Sequence, residues 1–253
     1  SIRNVGIYAH IDAGKTTLVE NMLYQAGVIG CPGNVLDGTT ESDTLLEEIQ
    51  RGISILSSTF QFSYQYKRKE YLINLIDTPG HLDFSAQVDQ SLLAVDIAVL
   101  LIDITAGIRS QTEFIFEKIC SRKIPLVLFI NKIDCESRVG EFLQKIQPYF
   151  GNRIFPVYTY DNQDRNRIEY IFYKKSELGE EYLHFIEWDD TLSEKYLKNP
   201  SKLPEIVLKG LKEGTVRNQF IPLFIGSALE GIGVAELLDF LCELESKVQK
   251  RTG

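Results

Sequence analysis

Residues 9–17 read "AHIDAGKTT" and follow directly on the apolar run "VGIY" at 5–8. The close of this stretch fits a G-x-x-x-x-G-K-[ST] loop, a turn between a strand and a helix whose backbone amides can cradle phosphate. Ala9 stands where the first glycine of that pattern would be. The pattern alone is a moderate signal, because its worth depends on following a strand and opening a helix. Here an apolar strand precedes it, and residues 14–27 place Leu18, Met22 and Ala26 on one helical stripe ending at Gly27, a residue suited to a left-handed cap.

Similar apolar runs recur along the chain as "YLINLIDT", "IAVLLIDI", "PLVLFINKID", "RIFPVY" and "FIPLFIGSA". Near-continuous apolar strands are what a sheet covered on both faces requires. Helical patterns alternate with them: Phe84, Val88 and Leu92 share a stripe over 81–96, and Leu237, Leu241, Leu244 and Val248 share one over 233–248. The alternation predicts an α/β fold, a doubly wound and mostly parallel sheet with helices on both faces. "ISILSSTFQFSYQY" instead alternates apolar and polar residues and leads through "KRKE" into "YLINLIDT". It predicts one antiparallel edge strand.

Two segments fall outside this rhythm. Residues 28–52 carry little steady periodicity and predict a functional loop. Residues 161–216 are rich in charge and tyrosine, hold the single tryptophan, Trp188, and include "LPEIVLKGLKEG", where Leu203, Ile206, Val207 and Leu211 form a helical stripe behind Pro204. They predict a small α/β insertion, dividing the chain into 1–160 with 217–253 and an inserted 161–216.

The 253 residues carry a formal net charge of −8, which argues against a protein gripping DNA by diffuse positive charge but leaves a local RNA contact open. No apolar run reaches the roughly 20 residues of a membrane-spanning helix. Cys31, Cys120, Cys135 and Cys242 lack the paired spacing of zinc or redox motifs, and a cytoplasmic protein with reduced thiols is the expectation.

Four stretches carry chemistry. In the first, the amides of Asp12, Ala13, Gly14, Lys15 and Thr16 can surround a β-phosphate above the positive end of the helix dipole, with Thr17 next in the turn. Lys15 would lie along the β- and γ-phosphates and the Thr16 hydroxyl would bind magnesium. In "DTPGHLDF", Asp77 ends a strand where a carboxylate can orient a magnesium-bound water, Gly80 leaves its N–H open to a γ-phosphate, and His81 beside it is suited to positioning the attacking water. His10, within the first loop, suits packing or a local hydrogen bond.

In "NKID", the Asp134 carboxylate can accept both N1–H and N2–H of guanine, Asn131 can meet O6 or tie loops together, and the Lys132 stem can cover the ring. Adenine offers neither donor and would leave a desolvated carboxylate unpaired, so such sites discriminate by up to ~10⁴-fold or more. In "GSALEG", backbone amides around Ser227, Ala228 and Leu229 can donate to O6, which the adenine amino group would repel.

These pieces, in this order and each after a strand, resemble the translational GTPases. "AHIDAGKTT", "RGISI", "DTPGHLDF", "NKID" and "GSAL" look like the GTP-binding domain of elongation factor G and the tetracycline resistance ribosomal protection proteins, and "GTTESDTLLEEIQRGISI" looks more like the latter. The resemblance implies a P-loop GTPase with Mg2+, GTP as substrate and GDP as product, in which alanine at the first loop position is no defect. It also implies that 161–216 match the inserted subdomain of that family, that the large-subunit RNA loop and stalk protein of the ribosome are partners, and that the domain is monomeric. Ser54 in "RGISI" replaces the threonine usual there, keeping the magnesium-binding hydroxyl but losing the methyl that stiffens χ1. The family continues through further domains, so the chain is expected to be a piece of a longer protein. A GTP-dependent binding module without hydrolysis, and an ATP-using P-loop enzyme, are the alternatives; His81 and Ser54 argue against the first and Asp134 against the second.

Overall fold

A computed structural model describes residues 1–32, 59–77, 85–135, 139–160, 168–170, 183 and 186–244. The described strands are β1 (Ile2–Ala9), β2 (Thr59–Tyr66), β3 (Lys69–Asp77), β4 (Ile97–Asp103), β5 (Leu126–Asn131), β6 (Ile154–Pro156), β7 (Tyr158–Tyr160), β8 (Ile168–Tyr170) and β9 (Ile221–Ile225). The α-helices are α1 (Lys15–Gln25), α2 (Ser85–Ala94), α3 (Ser110–Ser121), α4 (Val139–Phe150), α5 (Asp190–Lys198), α6 (Leu203–Val216) and α7 (Val234–Glu243).

Seven strands form one sheet in the order β2-β3-β1-β4-β5-β9-β6, and β7 and β8 form a separate antiparallel ribbon. Among the described strands of the main sheet, only β2 runs antiparallel, at the edge against β3. The sequence pattern follows from this placement. Every residue of β4, β5 and β9 is buried, while β2 alternates exposed and covered positions because one of its faces meets water.

The helices lie where the apolar stripes place them. In α1, Leu18 and Met22 are buried, and Gly27 just beyond it takes φ 73°, as its cap requires. In α6, Leu203, Ile206, Val207 and Leu211 are buried and join the apolar cluster that includes Phe220, Ile221 and Leu223. Trp188 packs edge-on to Phe220 at 6.0 Å between ring centroids, with the Arg217 guanidinium 5.3 Å from the tryptophan ring centre.

Parallel registry aligns the carboxyl ends of the central strands. Ile7 pairs with Asp77, Ala9 with Leu101, Asp103 with Asn131, and Ile130 with Ile225. β1 lies between β3 on one side and β4 on the other, and the chain crosses over it in passing from β3 to β4, so the crevice outside these strand ends sits at the switch point of the sheet.

The last described helix is fastened to the opposite sheet edge. Arg3 of β1 donates to the carbonyls of Leu241 and Cys242 at the end of α7, satisfying groups a helix terminus leaves open. Tyr64 donates to Asp239 at 2.9 Å; Glu243 accepts from Tyr66 at 2.6 Å, from Lys212 at 2.8 Å and from Lys67. Burial alone would push the Glu243 carboxyl up, but the bonds from Lys212, Lys67 and Tyr66 outweigh it and hold the group at about 2, below its ordinary 4.5. A depressed carboxyl stabilises the fold above the unfolded-state value, and that contribution is lost as pH falls through the folded one. We therefore expect stability to drop between pH 4.5 and about 2, and Glu243→Gln to flatten that limb. Urea unfolding at pH 7 and pH 3 checks it: a gap between wild type and variant that does not narrow on acidification would contradict the assignment.

Candidate functional site

At the carboxyl ends of the central strands, the loop after β1 opens directly into α1. Gly14 is the residue before the helix and takes φ 92°, Lys15 begins the helix, and Gly14 makes no side-chain capping bond. The amides at a helix start, with the helix dipole behind them, suit an anion. Thr16 and Thr17 are half-buried in that first turn. His10 is buried, one ring nitrogen on the Ile11 carbonyl, in the packing role expected of it.

Two further strand-end loops converge on this turn. The buried Asn131 amide donates from Nδ2 to the Ala13 carbonyl at 2.9 Å and accepts at Oδ1 from the Ala228 N–H at 2.8 Å. One side chain thus joins the "AGK", "NKID" and "GSAL" stretches across 118 and 97 residues of sequence. Lys132, at φ 67°, donates from Nζ to the Asp12 carbonyl at 2.7 Å, and Asp12 itself has φ 63°. Two non-glycine residues in the left-handed region, bonded to each other, are the kind of local strain that surrounding structure must hold in place.

Gly14 has a different neighbour from the one its sequence context suggests. Besides the positive φ, a Cβ built there would lie 2.5 Å from Asn131 Nδ2, so the glycine makes room for the protein's own bridge as well as for any ligand.

Asp134 is half-buried at the mouth of the crevice. Burial raises its carboxyl, but hydrogen bonds from Ser227 and from Cys135 Sγ at 3.2 Å, with the Lys132 charge, outweigh it and hold the group below the usual carboxylate range. The carboxylate is ionised at neutral pH and can accept two donors from a ligand edge. Ser227 N–H donates to the Ile232 carbonyl at 3.1 Å, and Ala228 N–H to Asn131, so both of these candidate donors to a base have acceptors within the chain. Leu229 is exposed beside them.

Asp77 ends β3 in register with Ile7 of β1. Ser54, Gly80 and His81 lie outside the described residues.

The structure adds Asp103, which sequence reasoning did not single out. This buried carboxylate at the end of β4 accepts Lys132 Nζ at 2.7 Å, Thr105 N at 2.7 Å and Thr105 Oγ1 at 2.6 Å. Burial raises its carboxyl, and the bonds from Lys132 and Thr105 outweigh it, leaving the group below its ordinary value. Asp103 therefore holds the Lys132 ammonium and, through it, the Asp12 peptide. Its signal was available: "IAVLLID" closes on an acidic residue just as "YLINLID" does.

A helix start preceded by a left-handed glycine, with an ionised carboxylate on a neighbouring strand-end loop, describes a crevice suited to a nucleotide. The family described as Elongation factor Tu GTP binding domain matches residues 1–247. The chain belongs to that family. This GTP-binding domain is 36% identical over 96% of its length to the mitochondrial ribosome-releasing factor 2 of Schizosaccharomyces pombe, and 34% identical over its full length to the tetracycline resistance protein TetW of Butyrivibrio fibrisolvens. It spans 35% and 38% of those two relatives, little more than a third of their length. A crystal structure of a Thermus thermophilus protein superposes on 98% of the chain with a TM-score of 0.76, at 23% identity and over 41% of its own length. The doubly wound fold expected from the alternating pattern is thereby borne out, as is the resemblance to translational GTPases. Among the described residues, no helix is long and apolar enough to cross a membrane.

Gly14→Ala should disrupt the site at its base. The left-handed backbone costs a non-glycine residue about 1–2 kcal/mol, and the new methyl group displaces Asn131. Thermal unfolding together with GDP titration checks this; unchanged melting and affinity would show that the bridge tolerates a Cβ.

Proposed function

We propose that the chain binds GTP in this crevice and hydrolyses it as the conformational switch of a ribosome-associated factor. The observation that carries the reading is the Asn131 bridge, which ties a phosphate-type loop to two loops suited to reading a purine edge. In this reading the amides of Asp12 to Thr16 and the Lys15 ammonium hold the phosphates, while Asp134 accepts N1–H and N2–H of guanine. The Lys132 stem, fixed by Asp103 and the Asp12 carbonyl, covers one face of the ring.

The oxygen donors assigned to magnesium suit a hard cation: the Thr16 hydroxyl at the helix start and the Ser54 hydroxyl, with Asp77 acting through a water. When bound, that ion neutralises charge on the β- and γ-phosphates. His81 orients the attacking water, and Lys15 with the loop amides stabilises charge spreading onto the phosphoryl oxygens. The intrinsic rate is slow until a ribosome organises His81. Partners are the large-subunit RNA and the stalk protein, a reading supported by relatives named for ribosome release and tetracycline resistance. The same reading divides the chain into a GTP-binding domain over 1–160 and 217–253 and an inserted subdomain over 161–216. The separate β7–β8 ribbon supports an insertion near its start, and α6 near its end packs into the main core.

Asp134→Asn should lower affinity for GTP and raise it for xanthosine triphosphate, whose 2-oxo edge accepts what the amide donates; binding titrations with both nucleotides test base recognition, and an undiminished GTP preference would refute it. His81→Ala should leave GTP binding intact and cut ribosome-stimulated phosphate release by about 10²-fold or more. Multiple-turnover phosphate release with and without ribosomes measures this. Wild-type protein that binds GTP yet releases no phosphate under either condition would be a binding module instead.

A further inference from the structure

A polar side chain interrupts the apolar face of α1. Asn21 lies three residues after Leu18 and one before Met22, both fully buried, and is itself 3% exposed. Its Nδ2 donates to the Ala228 carbonyl at 3.0 Å, across 207 residues of sequence, while its Oδ1 is buried without a hydrogen-bond partner among the described residues. An orphaned amide oxygen in a core destabilises the fold, so an apolar residue would serve packing better. The turn after β9 is also shaped around Asn21. Gly231, at φ 74°, passes so close that a Cβ there would sit 3.0 Å from Asn21 Oδ1.

What Asn21 controls is the peptide between Ala228 and Leu229. In a trans peptide the N–H points opposite to the C=O, and no cis bond occurs among the described residues. Drawing the Ala228 carbonyl toward α1 therefore turns the Leu229 N–H away from it. Of the consecutive amides from Ser227 to Glu230, those of Ser227, Ala228 and Glu230 donate to Ile232 O, Asn131 Oδ1 and Ser227 Oγ. Leu229 N–H has no acceptor among the described residues, and its residue is 69% exposed.

We propose that Asn21 is a positioning residue for base recognition, which by holding the Ala228 carbonyl aims the Leu229 N–H at the 6-oxygen of guanine. This rests on the reading of the crevice as a guanine-nucleotide site. It assigns the O6 contact to the one amide from Ser227 to Glu230 that has no acceptor among the described residues, and places its control on the helix that starts at Lys15. Asn131 fixes the turn from the N–H side of Ala228 and Asn21 from its carbonyl side.

The test compares GDP with 2-aminopurine riboside diphosphate, which keeps the 2-amino group and lacks both the 6-oxygen and the N1–H, so each variant is compared with the wild-type chain on the same ligand. Calorimetric titration of the wild-type chain, Asn21→Ala and Asn21→Ser is expected to show about a tenfold loss of GDP affinity in both variants, the size of one hydrogen bond. Affinity for the 2-aminopurine nucleotide should stay within about twofold, since the lost donor has no partner on it. Equal losses for both ligands would reduce Asn21 to a structural residue and overturn the proposal, as would undiminished GDP affinity. Thermal unfolding identifies any variant that fails to fold, and the other then decides. A wild-type chain that does not distinguish GDP from ADP would instead sink the guanine reading on which the proposal stands.

Discussion

The site depends on one side-chain amide. Asn131 can bond the Ala13 carbonyl and the Ala228 amide together because β5 runs slightly past the ends of β1 and β9, with Ala9 level with Phe129 through Leu101 and Ile225 level with Ile130. Its buried position has a steep energetic consequence. Each of the two backbone groups it satisfies lies inside the protein, where an unmet hydrogen bond costs about 1–3 kcal/mol. Gly14 is shaped by the same constraint, since a side chain there would occupy the space that Asn131 uses.

Around this bridge the loops are braced in pairs. Asp103 holds Lys132, and Lys132 holds the Asp12 peptide in a left-handed conformation. Ser227 supports the Asp134 carboxylate and closes its own turn against Ile232. Rigid placement of this kind lets a crevice discriminate between ligands: donors and acceptors fixed before binding lose little entropy on contact, and a ligand with the wrong edge leaves them desolvated and unpaired. The helices and strands supply the scaffold, and the loops at the strand ends carry the chemistry.

The braces also couple the two ends of the crevice. Lys132 touches the phosphate loop and Asp103, Asn131 touches the phosphate loop and the "GSAL" turn, and Asn21 reaches that turn from the helix that begins at Lys15. The loop after β1 and the turn after β9 are therefore joined through the single side chain of Asn131. At the other end of the molecule, Arg3 and Glu243 lock α7 to the sheet, so the helix following that turn has a fixed base.

The amino-acid sequence by itself determined the sheet, the edge strand, the helices and the loops that matter, because each of these rests on local regularities. Period-two alternation in "TFQFSYQY" marks a strand with one wet face, continuous apolar runs mark buried strands, and a glycine with lysine and threonine at a strand-to-helix junction marks an anion-binding turn. What only the tertiary structure decided are the contacts between segments a hundred or two hundred residues apart. Asp103 reads as one more strand-end acid until Lys132 is seen to reach it, and Asn21 as an intrusion on an apolar stripe until its bond to Ala228 is known. Gly14 looks like clearance for a ligand until the neighbouring Asn131 is placed. Hydrogen-bond partnership depends on position to within a few tenths of an ångström, and one chain's local pattern does not encode which distant group will arrive at that distance.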